Sequence, residues 1–242
     1  MMRWYQIAND VAVMQFPLRA LGIDFGRNVT LLRLRDGRLA IHSTAPFTPE
    51  DAAAVRRFGE ASWLVEATLM HDTFAREARA AFPGLPYLAP DGFGKTSGVA
   101  TEPLQPPPFD WAEEIDVLPI EGLRKINEHA LFHRASRTLV VADLLFHFPA
   151  NTQGWDRFFV RHVMRLPRLL GMSAFFRLMI RDKEAFIGSM QSLSRWELRA
   201  GGGRSPGAGP KRWEGRLRPG AAGSRIRNGR LILEAPVRFP SA

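Results

Sequence analysis

The run Thr138–Leu145, TLVVADLL, constrains the fold more than any other segment of the chain. It is apolar without alternation, and a strand of that kind is covered on both faces, so a layer must lie on each side of its sheet. One charged residue, Asp143, interrupts it. A carboxylate at the end of a buried strand is unfavourable unless it is hydrogen-bonded, paired or bound to metal. Asp143 is therefore the strongest single-residue signal of a site. Its plainer reading is a structural carboxylate that caps loop amides.

Upstream the pattern changes from strands to alternating strands and helices. DVAVMQF is apolar and β-rich, and NVTLLRLRDGRLAIHS holds two runs around Asp36-Gly37, a hairpin dipeptide. Thr48 opens a helix in TPEDAAAVRRF, with proline at the first position and acids in the first turn. SWLVEA reads as a short strand. HDTFAREARAAF reads as a helix, with Phe74, Ala78, Ala81 and Phe82 at helical intervals. PGLPYLAP returns to a strand. Residues 91–111, rich in Pro and Gly, read as a long surface loop. IDVLPI, INEHALFH and RTLVVADLLF read as three further strands, and helices are expected over about 154–166 and 172–195.

Composition excludes several chemistries. The 242 residues contain no cysteine, so there is no disulfide, thiolate nucleophile or Cys-ligated metal. The N-terminus carries no secretory pattern, no run is apolar enough to span a bilayer, and the cytoplasm is the default compartment. The net charge of +9 is uneven: Arg199–Ala242 holds ten basic and two acidic residues, and residues 1–198 hold 23 and 22. The body of the chain is thus nearly neutral, with no general pull on polyanions and no specific nucleic-acid signal. We divide the chain into a domain over 1–198 and a basic Gly/Arg/Pro-rich tail over 199–242 in which only RLILEAPVRF reads as a strand. The tail is either a disordered extension or an out-of-frame reading of a GC-rich gene. The second is favoured, because the codons of KRWEGRLRPGA, read one base later, can spell an amphipathic stretch.

Ala89–Thr96, APDGFGKT, fits a loose nucleotide-loop pattern, but no helical pattern starts at Lys95 to cradle phosphate, so a chance match in a loop is expected. His71 and Asp72 follow a strand and open the next helix, a common place for a functional group; the alternative is that Asp72 merely caps that helix. In INEHALFH, alternation puts His129 and His133 on one face and Glu128 on the other, which suits surface or inter-strand hydrogen bonding. The segment from Gly154 to Lys183 mixes aromatics with Arg157, Arg161, Arg165, Arg168 and Arg177. A helix pair packed on its own domain is expected there, ahead of a membrane-interface helix.

Taken together, the hairpin strands, PEDAAAVRRF, the HDTF opening and EHALFHRASRTLVVADLLFHFP resemble an uncharacterised, domain-of-unknown-function branch of the metallo-β-lactamase superfamily. The resemblance covers about Asn9 to Trp196 and is most specific at FHRASRTLVVADLLF. It implies an α/β, four-layer αβ/βα sandwich, incomplete at its C-terminus, with any site at the edge between two sheets. Active hydrolases of that superfamily carry H-x-H-x-D-H after a strand, a later His, a bridging Asp and a final His. Thr68-Leu69-Met70-His71-Asp72 holds the first place and lacks most of the ligands, Asp143 fits the bridging Asp, and the later His has no match near Arg124. The final His would follow the helix ending near Trp196. The expectation is a degenerate site: at most a weak metal-dependent hydrolase, with His71, Asp72 and Asp143 as ligands or base, one zinc or iron ion at most, and an unidentified small-molecule substrate. The alternative is a non-catalytic binding protein whose basic tail contacts nucleic acid or anionic membrane.

Overall fold

The computed structural model of the protein describes residues 3–196 and 230–233. Seven strands form the first sheet in chain order: β1 (Arg3–Ala8), β2 (Val11–Phe16), β3 (Arg27–Arg33), β4 (Arg38–His42), β5 (Glu60–Val65), β6 (Tyr87–Ala89) and β7 (Glu102–Pro103). The first four strands are an antiparallel meander. From β4 onward neighbours are parallel, because α1 (Pro49–Phe58) and α2 (Ala75–Ala81) carry the chain back between strands. The second sheet runs β8 (Ile115–Pro119), β9 (His129–His133), β10 (Thr138–Val141) and β11 (Arg230–Leu233), the last parallel to β10. The strand expected in RLILEAPVRF is thus present over RLIL; the rest of 199–242, and the place expected for a final His, lie outside the described residues.

Local chemistry sets these elements. At Asp36-Gly37 the chain reverses with Gly37 at φ 90°, and the Leu34 amide donates to Arg38 at 2.8 Å. Thr48 caps α1 through a reciprocal box, its hydroxyl accepting from the Asp51 amide while Asp51 accepts from the Thr48 amide at 2.9 Å.

Three buried clusters separate four layers. Met14, Leu31, Ile41 and Leu64 on the outer face of the first sheet pack under α1, α2 and the short α3 (Phe93–Ser97) through Val55, Ala78 and Phe93. Between the sheets Val13, Leu32, Trp63 and Val65 meet Trp111, Ile115, Leu131 and Val140, with Trp63 and Trp111 edge to face at 5.8 Å. On the far side Ala130, Phe132, Leu139 and Val141 pack under α5 (Ala174–Met179) and α6 (Lys183–Ser194) through Phe176, Phe186 and Leu193. Alternate residues of β10 serve opposite layers, so its lack of polar alternation is the signature of a doubly covered strand.

The structure corrects several expectations. β1 precedes the first strand read from sequence. The 91–111 loop contains α3 and β7. Its helix starts at Phe93, with Lys95 in the middle of five residues, so the GKT run opens no phosphate-binding turn. α2 begins at Ala75, and its N-terminal residue Phe74 offers no side-chain cap; Asp72 lies outside the helix. The helix expected over 172–195 is broken into two, with Ser173 capping α5 and Asp182 capping α6. His129 and His133 are buried rather than at the surface. His133 Nε2 lies 3.1 Å from the Arg33 carbonyl and Nδ1 2.7 Å from the Ser136 hydroxyl, which ties the two sheets together.

The break between α5 and α6 rests on Gly122. Its carbonyl accepts from the Arg181 and Asp182 amides, its φ is +77°, and an added Cβ would run into the Asp182 carbonyl. Gly122→Ala should therefore lower unfolding stability by roughly 2 kcal/mol or more, read from urea titration. A second prediction concerns acid. Burial lowers the pKa of His129, His133 and His147 below the ordinary 6.5. The unfolded chain then binds protons that the fold refuses, so the stability is present above 6.5 and is lost as pH falls towards the folded values. Urea midpoints should drop between about pH 7 and about pH 5, and less steeply in His133→Gln.

Candidate functional site

Both sheets end their strands at the same edge. After β5 the chain leaves as Glu66–Asp72, and after β10 as Ala142–Leu145. The Ile126 carbonyl joins the two, accepting the Leu69 amide at 2.9 Å and the Thr68 hydroxyl at 3.2 Å, while the His129 amide donates to Ala67 at 2.7 Å. These bonds hold the 67–71 segment against the second sheet. His71 Nε2 thereby comes 3.5 Å from Asp143 Oδ1, with the side chains 12% and 22% exposed. The two residues are 72 positions apart in sequence, and they meet only because the sheets stack. Asp72 follows His71 directly, yet its carboxylate makes no hydrogen bond or ion pair among the described residues; only its carbonyl is engaged, by the Ala75 amide.

The role of capping loop amides falls to Glu128, not Asp143. Glu128 is fully buried just before β9, and its carboxylate accepts the amides of Ala142, Asp143 and Leu144 at 3.0, 3.2 and 3.1 Å. Burial, then the nearby Asp143 carboxylate, holds the Glu128 pKa well above the ordinary carboxylate range. This clamp turns the chain sharply after β10 and aims the Asp143 side chain towards His71. The plainer reading of Asp143 therefore describes its neighbour.

Sequence reasoning also missed a polar network beneath the same edge. Arg27 donates to the Ser43 hydroxyl at 2.9 Å, the Thr44 hydroxyl donates to Glu66 at 2.5 Å, and the Tyr87 hydroxyl lies 3.4 Å from Thr44 and 3.5 Å from Glu66. Burial, then the Glu66 charge, pushes the Tyr87 phenol well above its usual range, so it stays protonated. The available signal was a charged residue directly after an apolar strand, the same signal that marked Asp143.

The donor set bears on a metal. Two ligands of a tetrahedral zinc are about 3.4 Å apart when each sits about 2.1 Å from the ion, so the His71–Asp143 spacing fits one coordination edge. Asp143 Oδ2 is buried without a hydrogen-bond partner, which also suits a cation or a water. Among the described residues a two-metal centre does not fit. No cluster of three or more His, Asp or Glu side chains able to hold an ion occurs among the described residues, and the Glu128 oxygens are committed to amides. Glu128→Ala should leave three loop amides unpaired and lower stability by roughly 2–4 kcal/mol in urea titration.

No family model matches the chain, and no curated protein matches it. Solved structures do. The chain overlays on the DIM-1 metallo-β-lactamase exposed to ceftazidime with a TM-score of 0.50 at 14% identity, covering 79% of this chain and 97% of that one. The metallo-β-lactamase from Pontibacter korlensis gives 0.52 at 10%, covering 82% and 89%. That from Erythrobacter litoralis, with β-mercaptoethanol in its active site, gives 0.53 at 12%, covering 80% and 83%. At such identities the likeness concerns the backbone arrangement, and in that arrangement the chain has the metallo-β-lactamase fold.

Proposed function

We propose that this is a metallo-β-lactamase-fold protein whose metal centre is reduced to His71 and Asp143, so that it acts, if on any substrate, as a weak metal-dependent hydrolase in the cytoplasm. The observation that carries the reading is the pair itself: one imidazole and one carboxylate spaced as a single coordination edge, with the buried Glu128 carboxylate beside them locked on backbone amides. A divalent ion held there would polarise a carbonyl or phosphoryl oxygen of a bound small molecule as a Lewis acid. Two protein ligands support weak binding, because stable sites draw on three or four. Without an ion Asp143 holds the His71 ring through Nε2, the nitrogen that would take the metal, and Glu128 fixes Asp143 by clamping its amide. Asp72, next to His71 and with a free carboxylate, is the residue best placed to add a third oxygen if the 70–74 turn rearranges.

Metal analysis of the purified full chain tests this. Zinc and iron should be well below stoichiometric after dialysis, and added zinc should bind about tenfold or more weakly to Asp143→Asn, in line with the loss of a coordinating group. Stoichiometric zinc or iron that survives dialysis and disappears in Asp143→Ala would overturn the reduced-centre reading. Zinc affinity unchanged by Asp143→Asn and His71→Gln alike would remove the site from this pair.

A further inference from the structure

Residues 154–163 run as a short α4 (Gly154–Phe158) followed by one wider helical turn over Phe159–Val163. Val160 faces inward and packs with Phe148, Met164, Leu166 and Leu169. The outward side is apolar as well: Trp155 is 54% exposed, Phe158 51% and Val163 52%. The Trp155 and Phe158 rings stack at 5.5 Å, the His162 ring lies 4.9 Å from Phe158, and the Trp155 indole N–H donates to the carbonyl of Leu21, itself 73% exposed. These contacts make one contiguous ridge. On α5, Phe175 and Leu178 are exposed one turn apart. Scattered apolar side chains on a surface are ordinary, but a cluster of this kind marks a docking face. The packed helix pair expected from sequence is therefore only half packed.

Charge decides what covers the ridge. From Trp155 to Arg181 there are six arginines against one carboxylate, Asp156, and all six arginines are exposed. Residues 199–242, with ten basic and two acidic side chains, would meet like charge here. A second copy would set arginine against arginine. The occupant must therefore be anionic and apolar at once. Nucleic acid supplies phosphates but no apolar phase for Leu21, Phe158 and Val163. The interface of a bilayer supplies both, and an exposed indole whose N–H is already satisfied by the Leu21 carbonyl can enter it without leaving a bare donor. We infer that the Leu21–Trp155–Phe158–Val163 ridge, with Arg157, Arg161 and Arg165 interleaved, docks on an anionic lipid bilayer. No helix among the described residues is long and apolar enough to cross one, so the attachment is peripheral.

The full chain should sediment with vesicles of phosphatidylcholine mixed with phosphatidylglycerol and not with phosphatidylcholine alone, and less as salt rises. Trp155→Ser/Phe158→Ser should weaken that binding about tenfold or more, and so should Arg157→Gln/Arg161→Gln/Arg165→Gln. All five side chains are exposed, but Trp155 also donates to the Leu21 carbonyl and Arg157 to the Ala150 and Thr152 carbonyls, so the thermal transition of each variant is measured alongside and binding is compared below it. Failure of the wild-type chain to bind the mixed vesicles would overturn the inference. So would undiminished binding by either variant, which would transfer the effect to residues 199–242. Arginine-dependent capture of a duplex oligonucleotide without vesicle binding, or a dimer dispersed by Trp155→Ser, would likewise replace the bilayer with another occupant.

Discussion

The apolar layer between the two sheets is the constraint to which the rest of the molecule answers. Trp63, Val65 and Leu32 on one sheet pack against Leu131 and Val140 on the other and against Trp111 in the turn that precedes β8, all of them buried, and helices cover both outer faces. Polar groups along the middle of such strands are unfavourable without hydrogen bonds. They are displaced to the strand ends, where loops supply partners. His71, Asp143, Glu128 and Glu66 all occupy such ends. The site is thus a product of the same burial that stabilises the fold.

Glu128 shows how one buried carboxylate can serve geometry without serving chemistry. Its three amide bonds stabilise a tight turn and keep the loop after β10 in one conformation. Because those oxygens are used, they are not offered to a ligand. Asp143, one position into the same loop, has one oxygen near His71 and the other without a hydrogen bond. The difference in role between two carboxylates comes from which one meets the amides first.

Much of this was legible before folding. Asp36-Gly37, the Thr48 N-cap and the alternating strands and helices marked β2 to β6 of the first sheet, though not β1 or β7, and the unbroken apolarity of β10 marked it as covered on both faces. Where the sequence misled, tertiary contacts had overridden local signals. The helical periodicity over 172–195 runs straight through Asp182, yet the Gly122 carbonyl captures the amides at 181 and 182 and splits it. Of the two roles read for His129 and His133, surface or inter-strand hydrogen bonding, burial removes the first. The Arg33 carbonyl and the Ser136 hydroxyl satisfy His133 inside the fold.

By itself, the sequence determined the alternation of strands and helices, the double covering of β10 and the suspicion attached to Asp143, because these depend on residue type and period alone; the four-layer sandwich was what the family resemblance implied. Tertiary structure decided that Glu128 is the clamp, that Asp143 turns to His71, and that Trp155 and Phe158 stay uncovered. Each of those outcomes depends on the distance between groups far apart in the chain, and such distances are fixed only when the sheets stack and expel the water between them.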